Sequence, residues 1–521
     1  MNTSTRPSTT PSGEPGTGRR IVSVLVALSA SAALAAAPTA LAAPAALAVP
    51  TALAAPTALA APAAEPDRRT ASTPLTPPVS PIRWGGCPAN EPFPEPGPPA
   101  ECGTIRVPVD WAKPKGPKTE VFVARYRATD PAQRIGVLMS NPGGPGNPGA
   151  DTAMYADLEY TPEMLRRFDI VSFDPRGIGR SEGIRCDESL AAKLPARPRD
   201  AAEFERLRTL NGKLAESCLR QMGPLAAHMD TDSAARDMDA IRAAVGEERI
   251  SYLGHSYGTS VGERYARLFP ERLRALALDS SVDPSRAGAE RFLTDAAVTL
   301  DAIFERLRSW CQTEPTCVLK GRDLAAVNAE LFARAEAGTL YEPGPNGPTR
   351  KKIDTDQLTN YLYGTLRRLV PDSAAEELAA LHSGTGRIHL DPYGPDRAWQ
   401  LVLCRDNDFR IRDWAHYRSI LARVEKAAPH VRHSSQALDM VLGCQGWLPP
   451  KPRPAQAEGA LPPVLLVNAT LDAATPLAGA RRMAAVFPKA TLLTVDDVGH
   501  WMYNRPESKR TIDAYLSGRR N

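Results

Sequence analysis

The sequence Ile250-Ser-Tyr-Leu-Gly-His-Ser-Tyr-Gly258 places a serine between a short apolar run and a helical pattern that continues to Phe269. The run Ile250–Leu253 has the length and composition of a buried strand. The Gly-x-Ser-x-Gly pattern that follows is typical of a sharp strand-to-helix turn, in which larger residues flanking the serine would clash. We therefore predict that Ser256 lies in such a turn, with its hydroxyl exposed above a sheet as a nucleophile.

Five further apolar runs indicate the sheet to which this strand belongs. They lie at residues 135–140, 170–173, 276–278, 463–467 and 491–495. Amphipathic helical patterns separate the runs. Short apolar strands that alternate with helices imply a parallel sheet covered on both faces. The predicted fold class is α/β, with a mostly parallel sheet flanked by helices.

Two residues near the end of the chain complete a candidate catalytic set with Ser256. Asp472 and His500 each come five residues beyond one of the last two predicted strands. Their order, serine, then acid, then histidine, is the order that this kind of turn predicts. Ser256 would attack a carbonyl, His500 would take and return its proton, and Asp472 would orient the imidazole. Asp496 and Asp497 are the alternative acids, although aspartates at a strand end commonly only terminate the strand.

A reaction of this kind also needs two N–H donors for the oxyanion of its intermediate. The backbone N–H of Tyr257 is the first candidate, because it directly follows the nucleophile. The second should come from Asn141-Pro-Gly-Gly-Pro-Gly146, where Gly143 or Gly144 could approach a substrate closely for lack of a Cβ. The alternative is an ordinary Gly/Pro turn.

The segment Asp174-Pro-Arg-Gly-Ile-Gly-Arg-Ser181 superficially resembles a phosphate-binding loop. It lacks the Gly-x-x-x-x-Gly-Lys-Ser/Thr pattern, and no acidic ribose partner is placed to follow it. We predict a structural turn in which Asp174 and Arg176 hold neighbouring loops.

The strand–helix alternation stops between residues 285 and 445, where apolar residues keep helical spacing. We predict a largely helical cap insertion there, between a first core part (residues 81–284) and a C-terminal core part (residues 446–521). The Gly/Pro-rich piece Glu342–Pro348 is predicted to be a loop within the insertion.

The N-terminus has the pattern of an export signal. Basic residues precede the uncharged run Ile21–Ala36, and small Ala-x-Ala sites follow. A membrane anchor is the alternative, but these sixteen residues fall short of the ~20 that a span needs. We predict a signal peptide at residues 1–43, an Ala/Pro-rich linker or pro-segment at residues 44–80, and a secreted, extracellular protein with no membrane span after processing.

The composition of the chain further limits which partners, bridges and cofactors are expected. The chain of 521 residues has 63 Lys+Arg and 59 Asp+Glu, a net charge of +4, which argues against a nucleic-acid partner. All eight cysteines follow the predicted linker, and an exported protein meets oxidising conditions, so up to four disulfides are expected. Sequential pairing is the simplest of the many possible connectivities. No metal-binding motif occurs, and no metal or other cofactor is predicted.

Together, several motifs resemble the secreted tripeptidyl aminopeptidases of actinobacteria, which are α/β-hydrolase serine peptidases related to the prolyl iminopeptidases. The segments that carry this resemblance are Asn141–Gly146, Asp174–Ser181, Gly254–Thr259, Asp472–Pro476 and Gly499-His500. The resemblance implies an α/β-hydrolase fold and release of short peptides from a free N-terminus through an acyl-enzyme, without metal. Iminopeptidases usually have His where this chain has Pro142, which favours the tripeptidyl branch.

An aminopeptidase must also bind the ammonium group of its peptide substrate. A carboxylate in the cap would suit this role, and Asp406, Asp408 and Glu263 are the candidates. Three other functions stay open: a carboxylesterase-type serine hydrolase using the same residues, a prolyl iminopeptidase-like enzyme, and a non-catalytic binding protein on a hydrolase scaffold. A non-catalytic binding protein would be expected to lack one of the catalytic residues, whereas Ser256, Asp472 and His500 are all present in this chain.

Overall fold

The computed structural model describes residues 80–89, 97, 99–285, 288–388, 397–457 and 459–518. The predicted signal peptide (residues 1–43) lies outside this part of the chain, as does the predicted linker (residues 44–80) apart from its last residue. No helix of the described part combines the length and the apolarity that a membrane crossing requires.

Ten strands occur in the described residues. They are β1 (Ala100–Pro108), β2 (Lys118–Tyr126), β3 (Gly136–Asn141), β4 (Phe168–Phe173), β5 (Ile250–His255), β6 (Leu273–Asp279), β7 (Tyr341–Gly344), β8 (Gly347–Lys352), β9 (Val464–Leu471) and β10 (Ala490–Val498). Eight of them form one sheet in the order β1-β2-β4-β3-β5-β6-β9-β10. The strands from β4 to β10 in this order are parallel, whereas β1, β2 and β4 pair antiparallel.

The predicted fold class is confirmed, and each predicted apolar run coincides with a strand. Every residue of β3 and β5 is buried, as expected for central parallel strands covered on both faces. The antiparallel pair at the edge, β1 and β2, was not predicted. In β1 buried Ile105 and Val107 alternate with exposed Thr104 and Arg106, the pattern of a strand with one wet face.

Helices cover both faces of the sheet. They are α1 (Ala150–Met154), α2 (Ala156–Glu159), α3 (Pro162–Arg167), α4 (Glu188–Ala191), α5 (Ala201–Met222), α6 (Thr231–Ala244), α7 (Gly258–Leu268), α8 (Ala289–Thr313), α9 (Leu324–Glu336), α10 (Thr355–Leu366), α11 (Pro371–Ser383), α12 (Arg397–Asp406), α13 (Trp414–Ala427), α14 (Ser435–Gly443), α15 (Leu477–Val486) and α16 (Pro506–Leu516). Short 3-10 turns lie at Gly223–His228, Pro270–Arg272 and Met502–Asn504.

Seven consecutive helices, α8 to α14, lie between strands β6 and β9. We call residues 289–443 the helical segment. The hairpin of β7 and β8 interrupts it, so the prediction of a loop at Glu342–Pro348 was wrong. Pro343 and Gly344 end β7, Gly347 and Pro348 begin β8, and only Pro345 and Asn346 form the turn between them, the length of a two-residue hairpin connection.

The turn Asp174–Ser181 is structural, as predicted. The Asp174 carboxylate accepts the N–H groups of Ala150 and Arg180 at 2.9 and 2.8 Å. The Arg176 side chain is 1% exposed and forms a two-pronged ion pair with Asp237. Such a buried guanidinium is stable only when its donors are satisfied, and Arg176 also donates to three backbone carbonyls.

The eight cysteines are paired in sequential order, as Cys87–Cys102, Cys186–Cys218, Cys311–Cys317 and Cys404–Cys444. The last two bridges both lie in or directly beside the helical segment. Their partners are separated by 6 and 40 residues, so the two bridges restrict the unfolded chain to different degrees.

We predict that replacing both Cys404 and Cys444 with alanine lowers the free energy of unfolding by about 4 kcal/mol, because a loop of this length loses much entropy when it is closed. The matched double variant, Cys311→Ala with Cys317→Ala, removes a bridge that closes a far shorter loop. Its free energy of unfolding should therefore fall by only about 2 kcal/mol. Urea unfolding under non-reducing conditions measures both values. Equal losses in the two variants would contradict the entropic explanation.

Candidate active site

Ser256 lies in the turn between β5 and α7 and has a backbone φ of +53°. Residues other than glycine seldom adopt positive φ, so the surroundings must hold this turn in place. A Cβ at position 254 would lie 2.4 Å from the Gly258 carbonyl oxygen, and a Cβ at position 258 would lie 2.3 Å from the Asn141 carbonyl oxygen. Only glycine fits at either position. The Gly-x-Ser-x-Gly pattern is therefore a packing requirement of this turn.

Ser256 and His500 both line a cavity of about 650 Å³ at the carboxyl edge of the sheet. Its volume lies within the range of small-molecule and peptide sites. The helical segment contributes the apolar or aromatic side chains of Phe292, Ala296, Tyr363, Trp399, Leu403 and Met440, together with the polar side chains of Asp295, Arg367, Arg368 and Gln436. The cavity thus combines residues that follow the strands with residues from the helical segment.

A short hydrogen bond joins His500 to Asp472. The Nδ1 atom of His500 lies 2.8 Å from Oδ2 of Asp472. The Asp472 side chain is fully buried, and its carboxylate accepts the Thr475 N–H at 2.9 Å and the Thr475 hydroxyl at 2.7 Å. Because these donors fix the carboxylate, Asp472 can hold the imidazole with Nδ1 protonated and Nε2 free to accept a proton.

The alternative acids lie elsewhere. Asp496 pairs with Arg306 at 2.9 Å, and Asp497 pairs with Arg505 at 2.8 Å. Neither forms a hydrogen bond with His500 among those found in the described residues. The hydrogen bond to His500 therefore distinguishes Asp472 from the two aspartates that lie closer to His500 in sequence.

Two opposing effects act on the pKa of His500. Burial against the protein lowers this pKa, because it disfavours the charged imidazolium. The charge of the Asp472 carboxylate and its hydrogen bond to Nδ1 act in the opposite direction and prevail, so that the pKa of His500 is raised above its ordinary value of 6.5. The imidazole still exposes 31% of its surface and is accessible from the cavity.

In the described residues no hydrogen bond joins the Ser256 hydroxyl to His500. The Ser256 side chain is half-buried, and its hydroxyl can rotate about χ1. Hydrogen bonds between nucleophile and base are often loose without substrate and shorten when it binds. The structure thus establishes the acid–histidine pair and places the serine in the same cavity wall.

The loop Asn141–Gly146 lies against the serine turn, and the two glycines in it differ. The Gly143 N–H donates to the Asn141 side-chain oxygen at 2.9 Å and is therefore occupied. Gly144 and Tyr257 both line the cavity, and neither backbone N–H has a backbone acceptor among the described residues. Of the two predicted glycines, Gly144 is thus the one with a donor available to a bound oxyanion.

Asp406, predicted as a substrate-binding acid, does not line this cavity. Its side chain is buried at the end of α12, where it accepts the N–H and the hydroxyl of Thr231. Burial, reinforced by the nearby charge of Asp230, raises the pKa of Asp406 to about 6. The Thr231 hydroxyl in turn forms a hydrogen bond with the Tyr257 hydroxyl at 2.7 Å. Asp406 thus contacts the serine turn indirectly, through Thr231 and Tyr257.

The other two predicted acids are also placed outside the cavity. Asp408 forms a two-pronged ion pair with Arg410 and lines a separate cavity of about 570 Å³. The Arg410 hydrogen bond lowers the pKa of Asp408. Glu263 is buried on α7, where it pairs with Arg264 and Arg267. Their arginine partners neutralise both carboxylates.

Two aspartates that the sequence analysis missed do line the cavity. Asp283, which follows β6, and Asp295, on α8, both pair with Arg482. These two carboxylates share one guanidinium, and Arg367, Arg368 and Arg505 also line the cavity, of which Arg505 pairs with Asp497. No local sequence pattern marks these residues, because α8 and α15 meet only in the folded chain.

No group of three or more His, Cys, Asp or Glu side chains within the described ranges is arranged to hold a metal ion.

Comparisons with known proteins agree with the motif resemblance. A family model described as the alpha/beta hydrolase fold matches residues 136–504. A tripeptidyl aminopeptidase of Streptomyces coelicolor is 29% identical over 452 residues, which is 80% of either chain. The serine protease Hip1 of Mycobacterium tuberculosis is 29% identical over 84% of this chain and 89% of its own. A protein named carboxylesterase B, also from Mycobacterium tuberculosis, is 32% identical over 77% of this chain and 80% of its own.

We predict that hydrolysis fails on the acid side as His500 becomes protonated. Because the pKa of His500 is raised, the acid limb of a plot of kcat/KM against pH should have its midpoint above 6.5. The variant Asp472→Asn should move this midpoint downward and reduce kcat roughly 10⁴-fold, since it removes both the charge and the required tautomer. A midpoint that does not respond to the substitution would contradict the assignment of Asp472.

Proposed function

We propose that this chain, which belongs to the α/β-hydrolase family, is a secreted serine exopeptidase. It would release short peptides, and specifically tripeptides, from free N-termini. The observation that carries the proposal is the His500–Asp472 hydrogen bond in the wall of the cavity that Ser256 also lines. This arrangement suits acyl transfer to a serine.

In the first half of the proposed reaction, Ser256 Oγ attacks the scissile carbonyl carbon while His500 Nε2 takes the hydroxyl proton. The Tyr257 and Gly144 N–H groups would bind the oxyanion of the tetrahedral intermediate, and α7, which begins at Gly258, adds the positive end of its dipole. His500 then returns the proton to the leaving amine. The carbon–nitrogen bond breaks, and an ester to Ser256 remains.

In the second half, water attacks this ester. His500 takes a proton from the water, and the same two N–H groups bind the second oxyanion. Collapse of the intermediate releases the peptide acid and restores the Ser256 hydroxyl with the proton that His500 returns. Asp472 stays ionised throughout and stabilises the imidazolium that forms in each half.

The names of two relatives, a tripeptidyl aminopeptidase and a serine protease, favour a peptide bond as the substrate. Export is supported by the N-terminal pattern of residues 1–43 and by four disulfides among the described residues, since such bridges persist in oxidising compartments.

Substrates with a free N-terminus carry an ammonium group that needs a negative partner. We assign this role to Asp283 and Asp295, because they are the two acidic side chains among the described residues that line the cavity with Ser256, and they share the one guanidinium of Arg482. The earlier candidates Asp406, Asp408 and Glu263 are engaged outside the cavity.

A carboxylesterase is the second candidate function, favoured by the relative named carboxylesterase B. It would use the same serine, acid and histidine on an ester. A prolyl iminopeptidase-like activity is a further variant of the peptidase proposal.

We predict that the mature protein releases arylamine from Ala-Pro-Ala-arylamide, that acetylation of the peptide N-terminus abolishes release, and that Ser256→Ala is inactive. Measuring the rate of arylamine release tests all three expectations. If both peptides resist cleavage while aryl esters are hydrolysed through Ser256, the esterase becomes the better assignment.

We predict that Asp295→Asn raises KM for Ala-Pro-Ala-arylamide about tenfold, because a hydrogen bond to a charged group contributes roughly 1.5–3 kcal/mol. The same variant should leave hydrolysis of an uncharged aryl ester unchanged. The matched control is Asp408→Asn, which alters an arginine-paired carboxylate outside the cavity. If Asp408→Asn raises KM and Asp295→Asn does not, the ammonium site lies in the other cavity.

A further inference from the structure

Asp279, the last residue of β6, is a fully buried carboxylate with four hydrogen-bond donors around it. Oδ1 accepts the Met502 N–H at 2.9 Å and the Ser280 hydroxyl at 3.1 Å. Oδ2 accepts the Tyr503 N–H at 2.8 Å and lies 3.0 Å from His255 Nδ1. Four donors match the four acceptor positions of a carboxylate, which makes its burial tolerable.

Two of the contacts of Asp279 reach the serine turn. His255, which directly precedes Ser256, ends β5 and lies opposite Asp279 in the parallel register. Its imidazole therefore projects to the same side of the sheet and meets the carboxylate. The backbone of Asp279 contributes as well, since its carbonyl accepts the N–H of Ser256 at 3.0 Å. Asp279 thus restrains the nucleophile through a side chain and through the main chain.

The other contacts reach the loop that carries His500. Met502 and Tyr503 begin the 3-10 turn two residues beyond His500, and their N–H groups have no partner within that turn. The Ser280 hydroxyl, itself a donor to Asp279, accepts the Trp501 N–H at 2.8 Å. The residues directly after His500 are therefore fixed to the end of β6, although they lie more than 220 positions away in sequence.

We propose that Asp279 is a positioning residue that fixes the Ser256 turn and the His500 loop to one common point, so that nucleophile and base keep their relative placement. Asp279 does not line the cavity and would not touch substrate. It acts through His255 on one side and through residues 501–503 on the other. The proposal rests on the proposed roles of Ser256 and His500.

The charge of Asp279 also reaches the base. Burial lowers the pKa of His500, Asp472 raises it most strongly, Asp279 raises it further, and Arg367 opposes the two carboxylates. Removing the Asp279 charge should therefore lower the pKa of His500 even with Asp472 intact. This effect separates a positioning carboxylate near the base from a residue that only stabilises the fold.

The test is Asp279→Asn in the full mature protein. An amide cannot accept at its nitrogen, so at least one of the N–H groups after His500 loses its acceptor. We expect kcat, per active site titrated with a fluorophosphonate, to fall about 100-fold, the size of effect produced by a 1 Å misplacement. KM should stay within about twofold, and the acid limb of the kcat/KM profile should move to lower pH.

The matched control is Asp239→Asn. Asp239 is a buried carboxylate on α6 that accepts hydrogen bonds from Arg242 and Tyr265 and does not line the cavity. It should lower the melting temperature and leave the acid limb in place. The proposal is overturned if Asp279→Asn keeps the parent kcat and acid limb per titrated site, or if Asp239→Asn reproduces both changes.

Ser280→Ala provides a second variant if Asp279→Asn does not fold. It removes the contact to the Trp501 N–H and keeps the Asp279 charge, so kcat should fall about tenfold with an unchanged acid limb. An unchanged kcat would overturn the proposal.

All rates are measured on an aryl ester and on the tripeptide arylamide. Failure of the peptidase assignment then shows only in the arylamide rates, whereas fluorophosphonate labelling of Ser256→Ala would refute Ser256 as the nucleophile.

Discussion

The left-handed backbone of Ser256 is the constraint on which the rest of the site depends. A φ of +53° at a serine is unfavourable and persists only when neighbouring contacts determine it fully. Here β5 and β3, both buried along their whole length, bring Asn141 against the turn, while α7 starts immediately after it. The absence of a Cβ at Gly254 and Gly258 permits this approach. The same closeness places the loop Asn141–Gly146 beside the nucleophile.

Buried carboxylates organise the parts of the site that follow later strands. The Asp472 carboxylate binds the His500 imidazole, and the Asp279 carboxylate accepts the N–H groups of Met502 and Tyr503 just beyond it. Each accepts several hydrogen bonds, including one from a histidine, which explains how the carboxylate can be buried without a lysine or arginine partner. Asp406 shows the contrasting case: with few donors and Asp230 nearby, its pKa rises to about 6.

The helical segment contributes a large part of the cavity wall. Its lining residues include the apolar side chains of Phe292, Trp399 and Met440, and Asp295 on α8 shares Arg482 with Asp283 from the sheet-forming part of the chain. A peptide bound here would contact both parts of the molecule. Disulfides within or beside this segment reduce the entropy of the unfolded chain and so stabilise the wall independently of its packing on the sheet.

The amino-acid sequence by itself determined those features that depend on local geometry. The glycines around Ser256, the apolar runs of the central strands and the post-strand positions of Asp472 and His500 each follow from short-range sterics or periodicity, so they could be predicted. The edge strands β1 and β2 were missed because a half-exposed strand has a weaker pattern than a buried one. Asp283, Asp295 and Asp279 could not be found in this way. Their roles arise from contacts between segments distant in sequence, and only the tertiary structure decides which of many aspartates meets an arginine, a backbone N–H or a cavity.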